Sequence, residues 1–121
     1  MKQILVVDDS PVVRKIARRI LTDMEFDVAE AEDGSEALRF CSEKMPDAIL
    51  LDWDMPVMDG LEFLQAFRKL PDGKSPKVVF CTAQNHQQSI MRAMTAGADE
   101  YIMKPFDEMI LRDKLEQVGL V

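Results

Sequence analysis

The sequence predicts an α/β fold, an open five-stranded parallel sheet, doubly wound, with helices on both faces. Three observations predict it. Short apolar runs alternate with amphipathic stretches five times along the chain, the pattern of repeated strand–helix units. Ile4–Val7, Ile49–Leu51 and Val78–Cys81 are continuously apolar, as strands covered on both faces are. The alternation also uses up all 121 residues; no internal repeat, low-complexity segment or linker marks a second domain.

The expected strands are Gln3–Val7, Asp27–Glu30, Asp47–Leu51, Lys77–Cys81 and Glu100–Met103. Asp27–Glu30 is short and more polar than the continuous apolar runs and is placed at a sheet edge. In the first helix Val13, Ile16, Ala17, Ile20 and Leu21 fall on one face, and Ser10–Pro11 supplies an N-cap followed by a first-turn proline. Asp33–Gly34 opens a second helix carrying Ala37, Leu38 and Cys41. Asp59–Gly60 opens a third with Phe63, Leu64 and Phe67, and Pro71–Asp72–Gly73 punctuates its end. A fourth carries Ile90, Ala93 and Met94 and stops near Gly97. Asp107 opens the fifth, with Ile110, Leu111, Leu115 and Val118.

Composition narrows the function classes. Hydrophobic residues at 47% and charged residues at 31% describe a folded globular chain. Fifteen Lys and Arg against twenty-two Asp and Glu leave a net charge of −7, which argues against gripping nucleic acid or an anionic membrane through the overall field. No apolar run approaches a membrane span, and residues 1–7 lack the features of a signal peptide. Cys41 and Cys81 are too few and too far apart for a disulfide framework or zinc site, so buried free thiols in a reducing cytoplasm are expected.

Ligand sites in such sheets lie beyond the carboxyl ends of the strands. The first polar residues there are Asp8 and Asp9 after the first strand, Asp52 after the third, Thr82 after the fourth and Lys104 after the fifth. Asp8 or Asp33 alone would read as a helix cap. One topology that sends Asp8, Asp9, Asp52, Thr82 and Lys104 to one end of one sheet favours a site. Three converging carboxylates repel by about 4 kcal/mol per pair at ~4 Å and an effective dielectric of ~20, so they need protons or a cation. An all-oxygen, solvent-facing set suits Mg²⁺. Three carboxylates, Mg²⁺ and Lys104 sum to a neutral site able to receive a phosphoryl group. Asp52, ending the most central apolar strand, is the best nucleophile, with Lys104 and the Thr82 hydroxyl assisting at phosphoryl oxygens.

The motifs Val6–Val7–Asp8–Asp9–Ser10, Leu51–Asp52–Trp53–Asp54–Met55–Pro56–Val57–Met58–Asp59–Gly60, Cys81–Thr82–Ala83, Ala96–Gly97–Ala98–Asp99 and Lys104–Pro105–Phe106 resemble the receiver domain of bacterial two-component response regulators. The resemblance covers essentially the whole chain, and it is strongest to the stand-alone, chemotaxis-regulator-like type. It implies a flavodoxin-like fold with strand order 2-1-3-4-5 and a single receiver domain over residues 1–121 with no output domain. It also implies a cytoplasmic, monomeric signalling protein. Asp52 would take a phosphoryl group from a histidine kinase or phosphotransfer protein. Asp9 and Asp52 would ligate Mg²⁺ directly, Asp8 through water and Asp54 through its backbone carbonyl. Thr82 and Lys104 would contact the phosphoryl group, the Lys104–Pro105 bond would be cis, and Tyr101 would move inward with Thr82. The readout to an effector protein would be a population shift on the face of the fourth helix, fifth strand and fifth helix. Asp54, where the chemotaxis type usually carries an amide, and Gln84, where it often carries an acid, are expected to tune phosphoryl turnover.

Arg14, Lys15, Arg18 and Arg19 form a basic stripe on the first helix, read as a solvated face with kinase docking as the alternative. Most of the nine methionines are expected to fill core gaps, with Met91 facing outward. His86, the single histidine, is given no role. Within the receiver reading the chain is not an enzyme with external turnover; it acts only on its own phosphoryl group, as signal carrier or as phosphate sink. Two rivals stand beside it. Asp52–Trp53–Asp54 also resembles the nucleophile motif of haloacid-dehalogenase-type phosphatases, and a receiver that has lost its chemistry would be a plain interaction module.

Overall fold

Strand and helix alternate through the described residues, 1–83 and 87–121, of the computed structural model. In order they are β1 (Gln3–Val7), α1 (Pro11–Asp23), β2 (Asp27–Ala31), α2 (Gly34–Glu43), β3 (Ala48–Asp52), α3 (Gly60–Phe67), β4 (Lys77–Thr82), α4 (Gln87–Thr95), β5 (Glu100–Met103) and α5 (Glu108–Gln117). All neighbouring strands pair in parallel, in the order β2-β1-β3-β4-β5. The polar second strand is indeed an edge, as is β5.

Alternation along each strand splits the core in two. Leu5, Val7, Ile49, Leu51, Val78 and Phe80 face α2, α3 and α4 through Ala37, Cys41, Phe63, Leu64, Phe67 and Ala93. Ile4, Val6, Ala48, Leu50, Val79 and Cys81 face α1 and α5 through Ala17, Ile20, Leu21, Leu111 and Leu115. Both thiols are buried and unpaired; burial pushes the Cys41 pKa up to about 12. Among the described residues no helix is long and apolar enough to cross a membrane.

Helix starts follow the local chemistry. Ser10, Asp33, Asp59 and Asp107 each cap their helix by accepting a backbone N–H three residues on, and Asp59 and Glu62 close a reciprocal capping box. A Cβ at Gly60 would come within 2.3 Å of the Asp52 carbonyl, so glycine is what lets α3 start hard against the end of β3.

The structure departs from the sequence reading in two ways. Ile16, Met94 and Ile110 are exposed, so the inward stripes of α1, α4 and α5 are narrower than periodicity suggests. Ile16 lines a shallow cleft with Val13, Pro105 and Phe106, and no helix or strand among the described residues covers it. β2, β3 and β4 also end one residue later than expected, whereas β1 and β5 have the expected bounds. β3 begins at Ala48, while Asp47 stays exposed and accepts the Gln3 N–H on its carboxylate at 2.7 Å. The parallel ladder continues to Asp52, opposite Cys81, and to Thr82, opposite Met103. Asp52 and Thr82 are therefore the last residues of buried strands rather than the first of loops.

Candidate functional site

The pairing of β1 with β3, and of β3 with β4, brings Asp8, Asp9, Asp52 and Thr82 to one end of the sheet; Lys104, after β5, reaches across to them. Asp8, Asp9 and Asp52 each offer a carboxylate oxygen, all within 4.8 Å of one another. Asp8, Asp52 and Thr82 are only 3%, 4% and 3% exposed, whereas Asp9 faces solvent. The Lys104 ammonium donates to Asp8 Oδ2 at 2.8 Å and to Asp52 Oδ1 at 2.9 Å. The Ser10 N–H donates to the other Asp8 oxygen at 2.9 Å, so Asp8 is not a helix cap but a fixed wall of the pocket. The Lys104 N–H donates to the Thr82 carbonyl at 2.9 Å, and the Lys104–Pro105 bond is cis.

Charge at this end is out of balance. Burial raises the Asp52 carboxyl from its ordinary range to about 6, and Asp8 and Asp9 push the same way; the Lys104 hydrogen bond and charge oppose them. For Lys104 burial works against the ammonium, but the bonds from Asp8 and Asp52 together outweigh it and hold its pKa above the usual value. Among the described residues, one ammonium bonds Asp8 and Asp52, and the Asp9 carboxylate lies beside them. Their all-oxygen donor set, open to solvent at Asp9, fits a hard divalent cation of the Mg²⁺ type. Such an ion would offset the charge that the protein leaves uncompensated.

The other predicted residues lie around this centre. Asp54 is exposed beside it, and its carboxylate is not one of the three that converge. Trp53, next to Asp52, is buried with its ring 4.9 Å from that of Phe80. Tyr101 is half-buried on β5, with the Lys114 ammonium 5.0 Å from its ring centroid. Met91 is exposed on α4, as expected. Gln84 and His86 lie outside the described residues.

The basic stripe on α1 is not uniform, and here the sequence reading missed a connection. Arg14 Nη1 donates to the Asp8 carbonyl at 2.7 Å, and Arg14 Nε to Glu30 at 3.1 Å. Arg18 pairs with the other oxygen of Glu30, and the two arginines, Arg18 foremost, hold the Glu30 carboxyl below its ordinary pKa. Lys15 and Arg19 are left exposed. The available signal was Glu30, a charged residue in a short strand, but its partner depends on β2 lying beside β1 and under α1.

Comparison with known proteins agrees with this geometry. The response regulator receiver domain family matches residues 4–116. The chain is 40% identical over 121 residues to chemotaxis protein CheY of Listeria monocytogenes, covering 98% of this chain and 99% of that protein. It is 37% identical over 118 residues to chemotaxis protein CheY of Halobacterium salinarum, covering 97% and 96%. Among solved structures, chemotaxis protein CheY4 of Vibrio cholerae superposes with a TM-score of 0.93 at 32% identity, covering 98% of each chain. The receiver domain of a sensor histidine kinase of Pseudomonas aeruginosa, solved with a magnesium ion coordinated in its active site cleft, gives a TM-score of 0.88 at 29% identity, covering 96% and 95%. Matched over nearly all its length by sequence and by fold, the chain belongs to the response regulator receiver domain family.

Proposed function

We propose that this receiver takes a phosphoryl group onto Asp52 from the phosphohistidine of a histidine kinase or phosphotransfer protein. The modified state then changes the binding of an effector protein at the α4–β5–α5 face, in chemotaxis-like signalling. The observation that carries this reading is the convergence of Asp8, Asp9 and Asp52 around Lys104, which bonds two of them at once. Asp8, Asp9 and Asp52 would hold Mg²⁺, with the Asp54 carbonyl joining them. The ion would supply charge neutralisation at the transferring oxygens.

The chain's own residues do the rest. An Asp52 carboxylate oxygen attacks phosphorus as the phosphorus–nitrogen bond to the donor imidazole breaks, and the imidazole leaves with the electron pair. With its carboxyl raised only to about 6, Asp52 is mostly ionised at neutral pH and ready to attack. Lys104, already within hydrogen-bond reach of Asp52 Oδ1, exchanges that oxygen for a phosphoryl oxygen, and the Thr82 hydroxyl donates to another. Thr82 ends β4 opposite Met103 of β5, so its movement is felt on the strand that carries Tyr101. An inward turn of Tyr101 would alter the surface shared by α4, β5 and α5. Hydrolysis of the acyl phosphate resets the chain, and Asp54 and Gln84 tune that step.

Acetyl phosphate with Mg²⁺, followed by intact mass, tests the proposal. The expected result is a gain of one phosphoryl group, absent in Asp52→Asn and absent when Mg²⁺ is chelated. A gain that survives in Asp52→Asn would overturn the assignment of the acceptor.

A further inference from the structure

We propose that Arg14 is a positioning residue for the metal pocket. Gripping the carbonyl of the peptide that joins Asp8 to Asp9, and braced on Glu30, it sets the angle at which the two carboxylates meet the cation. The inference rests on the reading that Asp8, Asp9 and Asp52 hold Mg²⁺.

Asp8 is held at every polar group it has. Its N–H donates to the Ala31 carbonyl at 3.1 Å. One carboxylate oxygen takes the Ser10 N–H and the other the Lys104 ammonium. Its carbonyl takes Arg14 Nη1 at 2.7 Å. That carbonyl belongs to the same rigid peptide plane as the Asp9 N–H, so fixing it also fixes the start of Asp9. Asp9 faces solvent and inherits its orientation from this plane. The Arg14 side chain is 12% exposed, against 46% for Arg18, so of the two arginines that share Glu30 it is the inward one. A guanidinium suits the task because separate nitrogens serve Glu30 and the Asp8 carbonyl at fixed angles. A lysine is a point charge without that fork.

Positioning and simple electrostatics predict opposite signs. A cation near an acidic pocket repels Mg²⁺, so through space alone the loss of Arg14 should tighten binding. Loss of the grip should weaken it, because groups that orient metal ligands are typically worth about tenfold or more in affinity.

Calorimetric titration with Mg²⁺, paralleled by Trp53 emission, separates the two. The chains compared are wild type, Arg14→Met, Arg14→Lys and Arg18→Met, each checked for folding by a thermal melt without metal. Expected are about tenfold weaker binding in Arg14→Met, a similar loss in Arg14→Lys despite its retained charge, and near wild-type affinity in Arg18→Met, which loses a Glu30 partner without touching Asp8. Unchanged or tighter binding in Arg14→Met, or full affinity in Arg14→Lys, would overturn the inference while leaving the pocket intact. Should Arg14→Met fail to fold, Arg14→Lys carries the same comparison. Absence of Mg²⁺ binding in the wild-type chain would instead overturn the pocket reading, and this inference with it.

Discussion

The two ends of the sheet use similar ingredients to opposite effect. At the amino end of β4 and β5, Arg68, whose backbone N–H caps α3, sends its guanidinium to the Gly97 carbonyl at 3.1 and 2.6 Å, to the Gly73 carbonyl at 2.9 Å, to the Pro76 carbonyl at 2.8 Å and to Asp99 at 3.1 Å. Asp99 also accepts the Val78 N–H at 2.8 Å, and the guanidinium lies 5.5 Å from the Phe67 ring centroid. One cation there meets one carboxylate, and all three guanidinium nitrogens have acceptors. At the carboxyl end one ammonium serves two carboxylates, with a third beside them. The loop after β3 adds strain, since Val57, a β-branched residue, is held at a φ of 70° in a turn closed by Met58 N–H to the Pro56 carbonyl at 2.7 Å. Satisfied polar groups hold a fold together, whereas unsatisfied charge is what a ligand can answer.

The comparison can be broken most directly at Arg68. Arg68→Met would strip the Gly97, Gly73 and Pro76 carbonyls of a donor and Asp99 of its cation, leaving it the Val78 N–H, and is expected to cost about 3 kcal/mol in urea unfolding, given ~1–3 kcal/mol for each stranded group and partial rescue by water. Mg²⁺ affinity should stay unchanged, and a changed affinity would mean that the two ends are not independent.

At the other end, removing a charge should stabilise. The folded chain holds the Asp52 proton up to about pH 6, while the unfolded chain releases it near ~3.9. Between those values the folded state binds more protons, so its stability falls as pH rises, and the full cost is present above the folded pKa. Asp52→Asn in metal-free buffer should therefore gain about 2 kcal/mol at pH 8, shrinking towards zero near pH 4. A gain that is flat across pH would remove burial of the charge as its cause.

The smallest expected effect sharpens the strain argument. Val57 is 84% exposed, so packing of its side chain does little to offset its left-handed backbone. Val57→Asn should gain about 1 kcal/mol in denaturant unfolding. A loss would show that the Val57 side chain makes a contact worth more than the strain.

Much of this was legible in the residues. The continuous apolar runs announced buried strands because a parallel sheet covered on both faces needs no polar alternation. The caps Ser10, Asp33, Asp59 and Asp107 were readable because capping is a matter of three residues and local angles. Ile16 and Ile110 were misjudged because periodicity says which residues share a helix face and not how much of that face a neighbour covers. Arg14 looked like its neighbours Lys15 and Arg19 because the stripe is uniform in sequence and becomes uneven only where β2 brings Glu30 beneath it.

By itself, then, the sequence determined the strand–helix alternation, the helix starts and the residue types that end each strand, since these depend on interactions within a few positions along the chain. The tertiary structure alone decided that Asp52 and Thr82 still belong to the ladder, that Lys104 divides itself between Asp8 and Asp52, and that Arg14 holds the Asp8–Asp9 peptide. Each of these joins residues from different strand–helix units, and which units become neighbours is set by how the sheet is ordered and how its helices pack, not by any local stretch of residues.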